Sequence, residues 1–469
     1  LKASEVIKAY FQRIEEVNPL INAIVEIRRE ALREAEMIDK QVEEHISGTP
    51  NAKSIPLDDM YLLGVPISVK DAVAVENMVL TNGLCSRKNQ IASKNAGVIE
   101  NLRKAGAIPI ASTNVPELLL WYDTDNKLFG RTNNPYDLSR TPGGSSGGEG
   151  ALISSAGSVV GIGTDIGGSV RIPAAFCGIF GHKPTPGVLS NEGIFPQVKP
   201  HMGYLLTPGP MCRYVSDIIP TLKAMAGSKI EKLPKLETSV DLSKIKIYYM
   251  FETDIPLKTP LQSSVKVALL KVVSHFRTKF NVKCVEINSE EFNTSLALWT
   301  NAVHEASLIP FSHEIADNDT KVNFFIELIK NLFGYSNHTF KTIVVALQTN
   351  AHFKNRCDFS FISERIKELT SKFEKLLDED GVFLYPSHPE VAPKHESTLF
   401  KQLNIDHTTL FNVLGVPVTQ CPLGLNEEFL PIGLQIASNQ FNDHLTIAVA
   451  SEICNTFGGW ISPSPILCN

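Results

Sequence analysis

The chain has 469 residues, 44 Lys plus Arg against 50 Asp plus Glu, and a formal net charge of −6. Its 43% hydrophobic and 20% charged content is that of a globular protein, which excludes a disordered or collagen-like chain. The near-neutral balance gives no electrostatic reason for a nucleic-acid partner, and no run approaches the ~18 apolar residues of a spanning helix.

From the N-terminus, Val6, Ile7, Tyr10, Phe11 and Ile14 recur at steps of three and four, which predicts a helix stopped by Asn18-Pro19. Ala31, Ala35, Ile38 and Val42 predict a second helix. After a polar loop around Gly48-Thr49-Pro50, residues 61–69 predict a buried strand with Lys70-Asp71 at its end. A helix near 96–104 and a strand at 108–111 continue an alternation of α and β. Further on, Leu269, Val273, Phe276 and Phe280 mark one helix. Ile362, Ile366, Leu369 and Phe373 mark another, which ends at Gly381 before a strand at 382–386.

Glycine is unevenly spread. Residues 141–187 hold 13 of the 30 glycines and only four Asp, Glu, Lys or Arg, whereas residues 228–380 hold a single glycine, Gly334. The reading is one α/β domain whose core combines the Gly-rich block with the C-terminal part, and the Gly-poor stretch forms a largely helical layer over or beside it. The eight cysteines include no C-x-x-C pair and the twelve His do not cluster. No metal or cofactor is therefore expected, and the cysteines read as reduced core residues. The chain begins at Leu1 with neither an initiator Met nor a signal-like apolar core, so it reads as a fragment, with room for an anchor upstream.

The Gly/Ser block runs from Thr141 through Gly143-Gly144-Ser145-Ser146-Gly147-Gly148-Glu149 to Thr164-Asp165-Ile166-Gly167-Gly168-Ser169-Val170-Arg171. A flexible linker fits poorly, because apolar runs lie between the clusters, and a phosphate cradle lacks its Gly-Lys-Ser/Thr. A preformed anion hole fits better: glycine lets successive N–H groups converge, and Ile166-Gly167-Gly168 would set such donors beside the Ser169 hydroxyl. A serine nucleophile needs a base. His182 lies in Gly181-His182-Lys183-Pro184, which reads as a turn, and Lys70, at the end of an apolar strand, is the other candidate. Gly143-Gly144-Ser145-Ser146-Gly147 also satisfies G-x-S-x-G, the nucleophile elbow of α/β-hydrolases, but a turn-rich loop precedes it where an elbow needs a strand.

These segments, with Gly181-His182-Lys183-Pro184-Thr185 and with Gly64-Val65-Pro66 leading into Val69-Lys70-Asp71, resemble the amidase signature family. The spacings, and Glu149-Gly150-Ala151-Leu152, resemble its fatty-acid amide hydrolase branch. The resemblance implies an α/β fold, a single large domain with a mixed, twisted β-sheet core covered by helices on both faces. Within it, residues 1–60 would be N-terminal helices, 61–227 the catalytic core, 228–380 the helical layer and 381–469 the rest of the core. It further implies a Ser-Ser-Lys triad: Ser169 as nucleophile, Ser145 as bridging serine after a cis peptide bond from Gly144, and Lys70 as base. Ile166, Gly167, Gly168 and Ser169 would donate the oxyanion-hole N–H groups, and Gly144, Ser146, Thr164, Asp165 and Arg171 would be scaffold.

The implied substrate is a small-molecule lipid amide, cleaved to fatty acid and amine. The alternatives are an amidase for short-chain or peptide amides, a binding protein without turnover, and an α/β-hydrolase using Ser145. The apolar stretch Val322, Phe324, Phe325, Ile326, Leu328, Ile329, Leu332, Phe333 and Tyr335 reads either as a mouth helix touching membrane or lipid, or as an ordinary core helix. The expected location is intracellular, with membrane association through this helix or an upstream segment. A homodimer is an option the sequence leaves open.

Overall fold

The structure, a computed structural model, describes residues 1–48, 60–309, 311–317, 322–353 and 359–465. Thr49 and Pro50 of the predicted loop, and Cys357 and Cys468, lie outside them. Helix α1 (Ala3–Ile21) buries Ile7 and Ile14 of the expected stripe, leaves Val6, Tyr10 and Phe11 half-buried, and adds Val17 and Ile21, in a core shared with α2 (Glu30–Ile46). Pro19 does not stop α1. So near the C-terminus a proline forfeits little of the helical ladder, and the true stop is Asn22, left-handed at φ 47°. The Asn18 side chain accepts the N–H groups of Ala23 and Ile24 beyond it.

Among the described residues, eleven strands form one mixed sheet. They are β1 (Ile24–Ile27), β2 (Pro66–Lys70), β3 (Ile108–Thr113), then, past a separate ribbon of β4 (Asp125–Asn126) and β5 (Gly130–Arg131), β6 (Val160–Asp165), β7 (Phe180–Lys183), β8 (Thr207–Cys212), β9 (Lys246–Tyr249), β10 (Cys284–Glu286), β11 (Gly381–Tyr385), β12 (Val418–Leu425) and β13 (Pro431–Ser438). Their spatial order is β1-β3-β2-β6-β8-β7-β12-β13-β11-β9-β10. Of the strands from the Gly-rich block, β7 meets the C-terminal strand β12 at the middle of the sheet, while β6 lies between β2 and β8. The Gly-poor stretch is more than a layer, since it also supplies β9 and β10 at one edge. Two local expectations change. Residues 180–183 form a strand, because His182 is buried and paired on β7, and the helix before β11 ends at Leu377, so that Gly381 opens the strand.

The remaining helices are α3 (Gly97–Lys104), α4 (Gly147–Ser154), α5 (Arg171–Phe176), α6 (Ile218–Ala226), α7 (Ser263–Phe280), α8 (Ser295–Ala306), α9 (Phe311–Glu314), α10 (Phe324–Leu332), α11 (Phe340–Phe353), α12 (Phe359–Leu377), α13 (Asp406–Val413) and α14 (Asp443–Phe457). Strand alternation sorts them. Ile67 and Val69 of β2, with Val382 and Leu384 of β11, face a core built with α3, α6, α7 and α14. Phe383 and Tyr385 face the other way, toward α8, α12 and α13, and α1, α2 and α4 share a core on that same side. Helices therefore cover both faces. Ser68 and Lys70, alternating with Ile67 and Val69, point to the second face.

Candidate active site

Every residue of α4 is buried. Its glycines let it approach other backbone closely: a Cβ on Gly148 would stand 2.5 Å from the Asn114 nitrogen. This close packing carries the segment before α4 onto the end of β2. There Lys70, fully buried, donates from Nζ to Ser145 Oγ at 2.7 Å and to Thr164 Oγ1 at 2.8 Å. Burial pulls its ammonium down to about 7, against the opposing charges of Asp165 and Glu149, because a dry site penalises the charged form. Ser145 is 2% exposed, and the Gly144–Ser145 bond is cis.

The Ser146 N–H donates to the Ser169 carbonyl at 3.2 Å, joining the two serine-bearing segments. Ser169 is half-buried, so the site grades from a dry amine to a hydroxyl that solvent reaches.

The turn from β6 into α5 is held from outside. Trp299 of α8 donates from Nε1 to the Ile166 carbonyl at 2.6 Å, and Thr408 of α13 donates to the Gly167 carbonyl at 2.6 Å. In a trans peptide the N–H points away from its carbonyl, so the Gly167 N–H faces away from Trp299. It meets no protein acceptor among the described residues, and neither does that of Ser169. Gly167 has to be glycine, since a Cβ there would lie 2.7 Å from the Trp299 ring. The Gly168 N–H, expected as an oxyanion donor, is instead engaged by Asp165 Oδ1 at 2.8 Å, because a fixed carboxylate stands beside it.

That carboxylate belongs to a buried network. Arg171 donates from Nε and Nη2 to the two Asp165 oxygens at 2.9 and 3.0 Å, and also to Gln435 Oε1 and Asn412 Oδ1. Burial would raise the Asp165 pKa, but the Arg171 guanidinium overrides it and holds the carboxyl well below its usual range. Ser146 Oγ accepts the Thr164 N–H. His182 is occupied elsewhere: its ring nitrogens pair with Thr419 at 2.9 Å and Asp443 at 3.2 Å.

Trp299, Thr408, Asn412 and Gln435 escaped the sequence reading, since nothing local marks a residue that reaches the site from more than a hundred positions away. Glu149 did carry a signal, as one of only two acids, with Asp165, in a block of small residues. A second contact path runs through residues 117–123. Trp121 O would lie 2.7 Å from a Cβ on Gly144, while Asp123 takes an ion pair from Lys341 of α11 at 2.6 Å and Glu117 Oε1 lies in hydrogen-bond contact with His338 Nδ1 at 2.6 Å.

With this geometry in place, comparison with known proteins is informative. A family model described as Amidase matches residues 5–447. Fatty-acid amide hydrolase 2 of Homo sapiens is 42% identical, over 99% of this chain and 87% of that one. A glutamyl-tRNA(Gln) amidotransferase subunit of Thermoanaerobacter pseudethanolicus is 28% identical, over 97% and 94%. A solved structure of a fatty acid amide hydrolase superposes with a TM-score of 0.76 at 22% identity, covering 99% of this chain and 83% of that one, and shares its fold. The chain belongs to the amidase signature family and is a hydrolase acting on amide bonds.

Proposed function

We propose that this hydrolase cleaves fatty-acid amides, and esters of the same acids, through an acyl-enzyme on Ser169. The carrying observation is the contact of Lys70 Nζ with Ser145 Oγ at 2.7 Å between two buried side chains. As the free amine, Lys70 takes the Ser145 proton while Ser145 takes that of Ser169, and Ser169 Oγ attacks the carbonyl carbon. The N–H groups of Gly167 and Ser169, with Ile166 beside them, receive the oxyanion; a well-placed donor of this kind contributes ~3–4 kcal/mol. Gly168, held by Asp165, keeps the turn in shape. The proton on Lys70 then passes back through Ser145 to the leaving nitrogen, the C–N bond breaks and the amine departs. Water repeats the sequence on the acyl-enzyme and releases the acid.

Two observations favour a long acyl chain. The 42% identity is to a protein named for fatty-acid amides, against 28% for the amidotransferase. Helix α10 also leaves Phe325, Ile326, Ile329, Leu332 and Phe333 exposed, three of them above 70%, while burying Phe324; it is not an ordinary core helix. We assign this face to peripheral contact with membrane lipid. Among the described residues, no helix is long and apolar enough to cross a membrane.

The test is turnover of a homologous series of primary amides, with mass spectrometry of the quenched enzyme. Rates that rise with chain length and one acyl group on Ser169 are expected. A preference for short-chain amides, or acyl transfer to Ser145, would overturn the proposal.

A further inference from the structure

Glu149 is fully buried on α4, and the sheet is built to admit it. Its Oε2 accepts the Ser68 hydroxyl at 2.5 Å and its Oε1 the Thr113 hydroxyl at 2.7 Å. Ser68 precedes Lys70 by two on β2, hence on the same face, and Thr113 is the β3 residue in register with Lys70. A Cβ on Gly161 of β6 would overlap Glu149 Oε2, so the glycine is what makes room for the carboxyl. Two strands and one helix thus fix a carboxyl group beside the amine the mechanism uses, yet the proton path itself does not pass through it.

We propose that Glu149 is a positioning residue that sets the base strength of Lys70 through its charge. This rests on the reading of Lys70 as the base. A negative charge at Glu149 favours the lysine ammonium, so it makes Lys70 a stronger proton acceptor. Burial pushes the Glu149 carboxyl up to about 8, and the charge of Lys70 opposes that rise. Each group, when charged, favours the charged form of the other.

Asp71, next to Lys70 in the chain, is pushed up to about 7 by burial and accepts from Thr81, so it titrates in both the wild type and the Glu149→Gln variant. Toward Lys70, the end of β6 presents Asp165, already paired with Arg171 and also facing Lys183. Toward α4, α1 and β8 bring Arg13 and the neighbouring Arg213, which donate to the carbonyls of Ser155 and Ile153 at the far end of the helix.

The experiment is the pH profile of kcat/KM in the wild type, Glu149→Gln, Ser68→Ala and Lys70→Ala. Glu149→Gln keeps the shape and removes the charge. Its acid limb is expected to move to lower pH by about one unit, with a lower alkaline plateau because a weaker base accepts the proton less well. Ser68→Ala removes a donor to the carboxylate, favours its neutral form, and should move the limb the same way by less. A purely structural role would lower the rate and leave the limb in place, and that result in either variant overturns the inference. If Glu149→Gln fails to fold, Ser68→Ala decides. Lys70→Ala separates the two ideas: it should cost about 10²–10⁴-fold, and survival of the acid limb without Lys70 would overturn the base assignment itself.

Discussion

The Gly-rich block and helix α10 treat apolar and polar groups in opposite ways. In the block, from Thr141 through Pro184, charged side chains are dry and three of the four make hydrogen bonds: Glu149 with two hydroxyls, Asp165 and Arg171 with each other. Lys183 is the exception, with no hydrogen-bond partner at Nζ among the described residues, and burial takes it down to about 7. In α10 the exposed Lys330 pairs with the buried Glu327 at 2.7 Å, and although Phe324 is buried, Phe325, Ile326, Ile329 and Leu332 stand in solvent. Fixed geometry is achieved with small residues and satisfied polar atoms. A docking face is achieved by leaving apolar area uncovered. Trp299 on Ile166 is a point where the Gly-poor region reaches the block, and Lys341 on Asp123 reaches the neighbouring segment that packs on Gly144.

This contrast can be broken at three points. The largest effect is expected inside the block. Arg171→Met strands the Asp165 charge in a site where both side chains are 0% exposed, which should cost about 3–5 kcal/mol in urea unfolding; a loss under half of that would mean that the network is not what holds the turn. At the junction, Trp299→Phe removes one hydrogen bond of about 1 kcal/mol. A fall in kcat of about fivefold, with little change in KM, should follow. An unchanged kcat would detach α8 from the oxyanion turn. At the outer face, Phe325→Ser with Phe333→Ser should alter stability by no more than about 0.5 kcal/mol each and abolish flotation with lipid vesicles. Cooperative loss of stability would show instead that the face packs within the protein.

The same contrast explains what the sequence disclosed. Continuous apolar runs made β2 and β3 legible, although residues 61–64 of the first run form a turn and the strand starts only at Pro66. The glycine clusters marked the turn that Ser169 occupies. Lys70 is legible at the end of the first apolar run, where β2 indeed closes. Less legible were β1, four half-buried residues between helices, and β7, whose Gly-His-Lys-Pro run suggests a turn until β12 and Asp443 are seen to enclose it. The capture of the Gly168 N–H by Asp165 depends on a carboxylate fixed by Arg171, Asn412 and the fold around them. The α10 stretch is apolar on either reading; only its neighbours decide whether that surface is covered.

The most direct test of the whole account is the rate at which a fluorophosphonate modifies the enzyme from acid to alkaline pH, with the modified residue mapped by mass spectrometry. A lysine shifted to about 7 is protonated and inert below that value and a free base above it, so the rate should climb through that region, on Ser169, and lose the climb in Lys70→Ala. Modification of Ser145, or a climb that persists without Lys70, would contradict it.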